Sequence, residues 1–312
     1  MGARAPVNAP SDTDRVLGFL LPGRSARGRI VRLGPLLDEV LAAHAYPEPL
    51  ARLLADALAL CALLGATLRP DEGTVTLQAQ GEGGPVRLLV ADWREGALRG
   101  YVEQEKSVDL SRNTSLEGLM GEGYLAITVD QTATAERWQG IVELKGQTLA
   151  EAAEGYFNQS DQLPTIVRLA VDQAGGRWTA GGLVLQQVGR REDAGPRLHV
   201  EAESGEPRAA DWSHIALLAG SVQAEELVDP ALTLEALLWR LLHEEEVHVL
   251  PAQAVRKGCR CSVVHIEEVL SRFPEAELEG MRDPDGRISV DCQFCSRQFR
   301  LEISPHSTIS RL

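Results

Sequence analysis

The chain has 312 residues, and 45 acidic against 31 basic side chains give it a formal charge of −14. That length leaves room for about two domains of ordinary size. The acidic balance argues against nucleic acid as a main partner, because phosphate contacts need a cationic footprint. No membrane partner is expected, since the longest apolar run, residues 53–68, is about 16 residues long and contains Asp56, too short and interrupted for a span.

Residues 1–14 carry Pro6 and Pro10 among small polar residues, without the apolar core of a signal peptide, so a disordered start and a cytoplasmic location are expected. In that reducing compartment clustered cysteines serve metals or redox chemistry more often than permanent bridges. Residues 17–33 predict a strand pair broken at Pro22 and Gly23, with Arg24, Arg27, Arg29 and Arg32 read as a solvated strand face. Residues 36–45 and 49–68 predict helices, the second through Leu50, Leu53, Leu54, Ala57 and Leu58, with Cys61 as a small buried hydrophobe inside it.

From Thr74 the period changes to two, through Val75, Leu77 and Ala79, and a hairpin is expected around Gly81, Gly83 and Gly84. That glycine cluster and the G-x-G-x-x-A match at 121–126 both fail as phosphate cradles, because a strand follows each where an anion site needs a helix N-terminus. A strand over 124–129 should pair with one over 139–144. A short helix (149–158) and strands over 167–170 and 178–188 complete an N-terminal domain without βαβ rhythm.

Residues 189–210, rich in Gly, Pro, Glu and Arg, read as a linker, followed by helical patterns over 212–227 and 232–243. The second places Leu234, Leu237, Leu238, Leu241 and Leu242 on one stripe that needs a partner surface. His243 and His248 just beyond lie about 140° apart around a helix and cannot share a metal, so the run reads as a solvated acidic helix end.

The last segment holds Cys259 and Cys261 as one pair and Cys292 and Cys295 as another. Two close pairs, each on a short turn, supply the four thiolates of a closed tetrahedral zinc site, one Zn²⁺ per chain. His265 is the rival ligand, but four thiolates already complete the tetrahedron. The single residue inside the first pair permits only a small, strained disulfide ring, which favours a labile couple over a structural bridge. The fold class is therefore α+β: a disordered start (1–14), a mixed core (15–190), a linker with two helices (191–254) and a small zinc-binding domain (255–312).

The stretches 140–144, 156–165, 181–186, 259–262 and 292–295 occur in the order found in one family, and the chain resembles the Hsp33 redox-regulated molecular chaperones. Asp161 stands where that family usually has Glu. The resemblance implies an ATP-independent holdase rather than an enzyme, inactive when reduced and zinc-bound, and active after oxidation and zinc loss. It also implies Cys259, Cys261, Cys292 and Cys295 as zinc ligands, Cys259–Cys261 and Cys292–Cys295 as the oxidised bridges, unfolded or oxidatively damaged proteins as clients, and a homodimer as the active state. The client surface is then expected on the 232–243 helix, at Leu234, Leu237, Leu238, Trp239, Leu241 and Leu242. Two other readings stand beside it: a zinc-ribbon nucleic-acid binder using Arg256, Lys257, Arg260 and Arg272, and a thiol oxidoreductase using Cys292 and Cys295, which lacks the expected βαβ context.

Overall fold

The computed structural model describes residues 12–68, 73–105, 114–132, 136–159, 162–188 and 209–302. Its contacts divide the chain into two compact units, residues 1–257 and 258–312. The division falls three residues beyond the boundary read from the sequence at 254.

The first unit is organised around one helix. Helix α1 (Pro35–Leu41) leads into α2 (Glu48–Gly65), which packs on both of the unit's sheets. Its Leu- and Ala-rich sequence is apolar all round, as a helix enclosed on every side must be, and from Ala57 to Gly65 every residue is buried. Cys61 lies fully inside this core, and burial pushes its thiol well above the ordinary range.

The first sheet contains β1 (Arg15–Leu21), β2 (Ala26–Leu33), β8 (Thr165–Ala174) and β9 (Arg177–Gln187) in the order β1-β2-β9-β8, all antiparallel. The second contains β3 (Gly73–Gly83), β4 (Val86–Arg94), β5 (Ala97–Gln104), β6 (Gly121–Gln131) and β7 (Arg137–Glu143) in the order β5-β4-β3-β6-β7. The two glycine-rich decoys are packing devices. A Cβ on Gly81 would stand 2.2 Å from the Met120 carbonyl at the end of α3 (Leu116–Met120), and Gly121 turns the chain with a φ of 69°.

Helix α4 (Leu149–Gln159) closes this core with Tyr156 and Phe157. The outer face of the first sheet is covered by α5 (Ala209–Gly220), α6 (Ala224–Val228) and α7 (Leu234–Leu242). Two-residue strands β10 (His248–Val249) and β11 (Gln253–Ala254) then pair with β1, and β12 (Arg256–Lys257) pairs with β5.

The arginines of β2 do not form a solvated face. Arg27, Arg29 and Arg32 are all buried, because helices cover both sides of this interior strand. Arg32 is fully enclosed and donates to the carbonyls of Glu226, Leu227 and Leu232 and to Asp12, so it satisfies acceptors at the end of α6. Asp12 and Asp14 are ordered too, the latter accepting from the Gly34 and Leu36 amides at the start of α1; residues 1–11 and 189–208 of the expected disordered start and linker lie outside the described residues. Among the described residues no helix is long and apolar enough to cross a membrane.

The second unit has α8 (Val263–Leu270), α9 (Glu275–Met281) and a hairpin of β13 (Ile288–Asp291) and β14 (Gln298–Leu301). Its core is Leu270, Leu278, Ile288, Phe299 and Leu301.

Candidate metal and redox centre

Local structure in the second unit explains why four distant sulfurs meet. Ser262 caps α8 by accepting from the His265 amide at 3.2 Å, which fixes the chain just after Cys261. The turn between β13 and β14 is closed by the Ser296 amide donating to the Cys292 carbonyl at 2.8 Å and the Cys292 amide to the Arg297 carbonyl at 2.9 Å. Cys292 and Cys295 thus face inward from one tight turn, with Cys261 and Cys292 packed against the small apolar core.

The sulfurs of Cys259, Cys261, Cys292 and Cys295 all lie within 4.8 Å of one another. Cys259 Sγ is 3.3 Å from Cys261 Sγ and 3.5 Å from Cys292 Sγ, and Cys261 Sγ is 3.5 Å from Cys295 Sγ. A tetrahedron with metal–sulfur bonds of about 2.3 Å has edges of about 3.8 Å, whereas a covalent S–S bond is about 2.0 Å. The spacing therefore fits four ligands around a small cation, and all four are free thiols. His265 is exposed, with Glu268 at 4.0 Å, and does not belong to the cluster.

Crowding also sets the acidity of the thiols. Burial raises Cys259, but hydrogen bonds from the Cys261 amide and the three other thiols outweigh it and bring it down to about 7. Burial, followed by hydrogen bonding among the sulfurs, pushes Cys261 up; burial likewise raises Cys292, against the Phe294 and Cys295 amides that donate to its sulfur. Without a cation the cluster favours one thiolate supported by its neighbours; a divalent cation reverses that logic for all four.

The leucine stripe is fully committed in this state. Leu234, Leu237, Leu238, Leu241 and Leu242 join Leu17, Phe19, Ile30, Leu183 and Leu185 in one buried cluster between α7 and the first sheet. Trp239 does not: it is 70% exposed on the opposite side of α7, with its ring 5.4 Å from that of His243.

Ion pairs that the sequence reading missed hold this layer down. Arg15 bonds Glu235 at 2.9 Å, and Arg24 makes a two-pronged contact with Glu245 at 2.8 Å through each of two nitrogens. Glu245 is therefore drawn inward by Arg24, so the run after α7 is not simply a solvated acidic end. One signal for the arginines was available. Arg27 and Arg29 share strand parity while Arg32 does not, so the three cannot occupy one face.

Fold and centre together define an α+β protein ending in a small module whose four thiols are arranged to hold a metal. The model of the Hsp33 protein family matches residues 14–302, and the chain belongs to that family. A 33 kDa chaperonin of Caulobacter vibrioides is 40% identical over 299 residues, which cover 93% of this chain and 95% of the relative. One from Azotobacter vinelandii is 38% identical over 296 residues, covering 94% and 93%. The crystal structure of the 33 kDa chaperonin from Thermotoga maritima matches 92% of this chain and 94% of its own with a TM-score of 0.76; at 22% identity this shows a shared fold.

Several stretches that carry the family resemblance have structural duties. The side chain of Asn158 brackets Thr165, accepting from its amide at 3.0 Å. Gly181 lets the Leu227 carbonyl approach so closely that a Cβ would stand 2.3 Å from it.

Proposed function

We propose that the protein is a redox-regulated, ATP-independent holdase chaperone that is inactive when reduced and zinc-bound. The observation that carries this reading is the convergence of four thiols in a unit with little other core. The all-sulfur donor set suits Zn²⁺, with Cys259, Cys261, Cys292 and Cys295 as ligands, one ion per chain. When bound, zinc holds the sulfurs as thiolates and ties the two cysteine-bearing segments together.

A thiolate in this set is the form that peroxide or hypochlorous acid attacks. The sulfur takes up one oxygen as a sulfenic acid, and a neighbouring thiol displaces that oxygen as water to leave a disulfide. Once two sulfurs are consumed in a bridge, the four-ligand set no longer exists. Family resemblance assigns the bridges to Cys259–Cys261 and Cys292–Cys295. The cross-pair contacts, at 3.5 Å, are nearly as short as the 3.3 Å between Cys259 and Cys261, so peptide mapping of the oxidised protein is the deciding measurement.

The client surface in this proposal is the α7 stripe and the face of β1, β2 and β9 beneath it. Each leucine buries apolar area that stabilises docking by about 1.5–3 kcal/mol. Undocking exposes a contiguous apolar patch suited to unfolded or oxidatively damaged chains. Trp239, exposed beforehand, serves as a reporter on the helix. A homodimer as the active state and a cytoplasmic setting belong to the same proposal.

The rival readings gain little. Arg256 and Lys257 donate to the Glu95 and Glu39 carbonyls of the first unit, and Cys292 and Cys295 sit on a β-turn without a βαβ context. The test is light scattering of a heat-unfolding reporter protein with reduced and with peroxide-oxidised chain, alongside zinc release. Suppression only after oxidation supports the proposal; equal suppression in both states contradicts it.

A further inference from the structure

Arg32 and its two neighbours on β2 are buried for different reasons. Arg32 faces the helical layer, where its donors are matched by Asp12 and three carbonyls. Arg27 and Arg29 lie on the other face, two residues apart and so about 7 Å along the strand. They are 8% and 6% exposed.

Strand register identifies what stands beside them. The row through Arg27 contains Leu20, Gln186 and Thr165; the row through Arg29 contains Gly18, Val184 and Val167. Neither row has a carboxylate. Among the described residues Arg27 has a single long hydrogen bond, from Nη2 to Gln186 Oε1 at 3.4 Å, and Gln186 Nε2 donates in turn to Thr165 Oγ1 at 3.4 Å. Arg29 has no hydrogen-bond or ion-pair partner among the described residues, yet its nitrogens are not sealed. None of the Arg29 nitrogens is closed to solvent and unpartnered at once.

Burial lowers both guanidinium pKa values, and Arg29, with the Arg27 charge added, falls to about 9. A guanidinium nonetheless stays protonated at neutral pH. Two like charges removed from most of their water are costly unless an opposite charge offsets them. Ten N–H donors and two positive charges match a tetrahedral dianion better than a monocarboxylate, which would neutralise only one of them.

We propose that Arg27 and Arg29, with Gln186 orienting the first, form a binding site for a phosphate-type oxyanion on the face of the first sheet opposite α7, beside β9 and β8. The site is separate from the thiol centre and does not depend on the holdase reading. Its ligand is either free phosphate or the phosphate group of a small ester.

The experiment uses the full-length reduced protein, titrated calorimetrically with inorganic phosphate, glycerol phosphate and acetate at ionic strength matched with chloride, with thermal melts in each buffer. The expected result is saturable one-to-one uptake of phosphate, little uptake of acetate, and a melting temperature that rises with phosphate concentration. Uptake of glycerol phosphate as well supports an open rim; uptake of phosphate alone supports a site for the free ion. Arg29→Met should weaken phosphate binding at least about tenfold, the loss expected for charge-assisted hydrogen bonds. In phosphate-free chloride it should melt no lower than the parent, since it removes an uncompensated charge. Arg29→Lys, which keeps charge but not the fork, should fall between the two. Absence of saturable uptake, undiminished binding by Arg29→Met, or a lower melting temperature for that variant without phosphate would each overturn the assignment.

Discussion

The two units solve the same folding problem with different means. In the first, α2 is enclosed by sheets on both sides, and Leu50, Leu54, Leu58 and Leu60 are wholly removed from water. In the second, the buried core among the described residues is Leu270, Leu278, Ile288, Phe299 and Leu301, while Val264 remains 66% exposed. Apolar burial suffices for the large unit. The small one has little of it, and a cation on its four thiols would supply what is missing, on the scale of about 10–16 kcal/mol for small zinc-dependent modules.

The largest way to break this contrast is to take the cation away. Chelation of the reduced protein, or Cys292→Ser, should abolish amide protection across residues 258–302 while α2 keeps its protection in hydrogen exchange. A second unit that remains protected would mean that its apolar core folds alone.

The next perturbation acts in the helical layer. Leu238 is 2% exposed, so Leu238→Glu places a charge against Phe19 and Ile30 and should weaken docking by about 3–5 kcal/mol. The expected result is holdase activity in the reduced, zinc-loaded protein, measured by light scattering.

Cys61 sharpens the contrast from the other side. Buried in the first unit beside the Val75 carbonyl, its thiol 3.6 Å away, it belongs to no metal-ligand cluster among the described residues. Cys61→Ser should cost the first unit about 1 kcal/mol in thermal unfolding. Elemental analysis should find zinc content unchanged, and oxidative activation should persist.

The smallest effect is expected from pH. Hydrogen bonding to Arg24 lowers the Glu245 pKa below its ordinary value of 4.5. A lowered acid contributes stability that is complete above the unfolded-state value and disappears as pH falls through the lower folded-state value. Acidification below about 4.5 should therefore loosen the helical layer, by no more than about 1 kcal/mol for such a pair. Glu245→Gln should remove that part of the pH dependence, as read by Trp239 fluorescence.

Much of this arrangement was legible in the chain because it is local. The cysteine pairs announce themselves by spacing, and the α7 leucines by a period that does not depend on what covers them. Other features depend on partners far away. Arg24 meets Glu245 and Arg15 meets Glu235 across more than two hundred residues, and no local pattern encodes either contact. The solvated-face reading of β2 failed because an interior strand covered on both sides is distinguished from an edge strand by topology, not by alternation. Strands β10, β11 and β12 are two residues long, too short to carry a period.

The central claim is that the thiol centre of the small unit controls exposure of the α7 stripe in the large one. Hydrogen exchange over residues 234–242, in reduced zinc-loaded and in peroxide-oxidised protein, tests it most directly. The account predicts strong protection before oxidation and its loss afterwards, in step with zinc release and the onset of aggregation suppression. Unchanged protection of this helix in oxidised protein that suppresses aggregation would contradict it and place the client surface elsewhere.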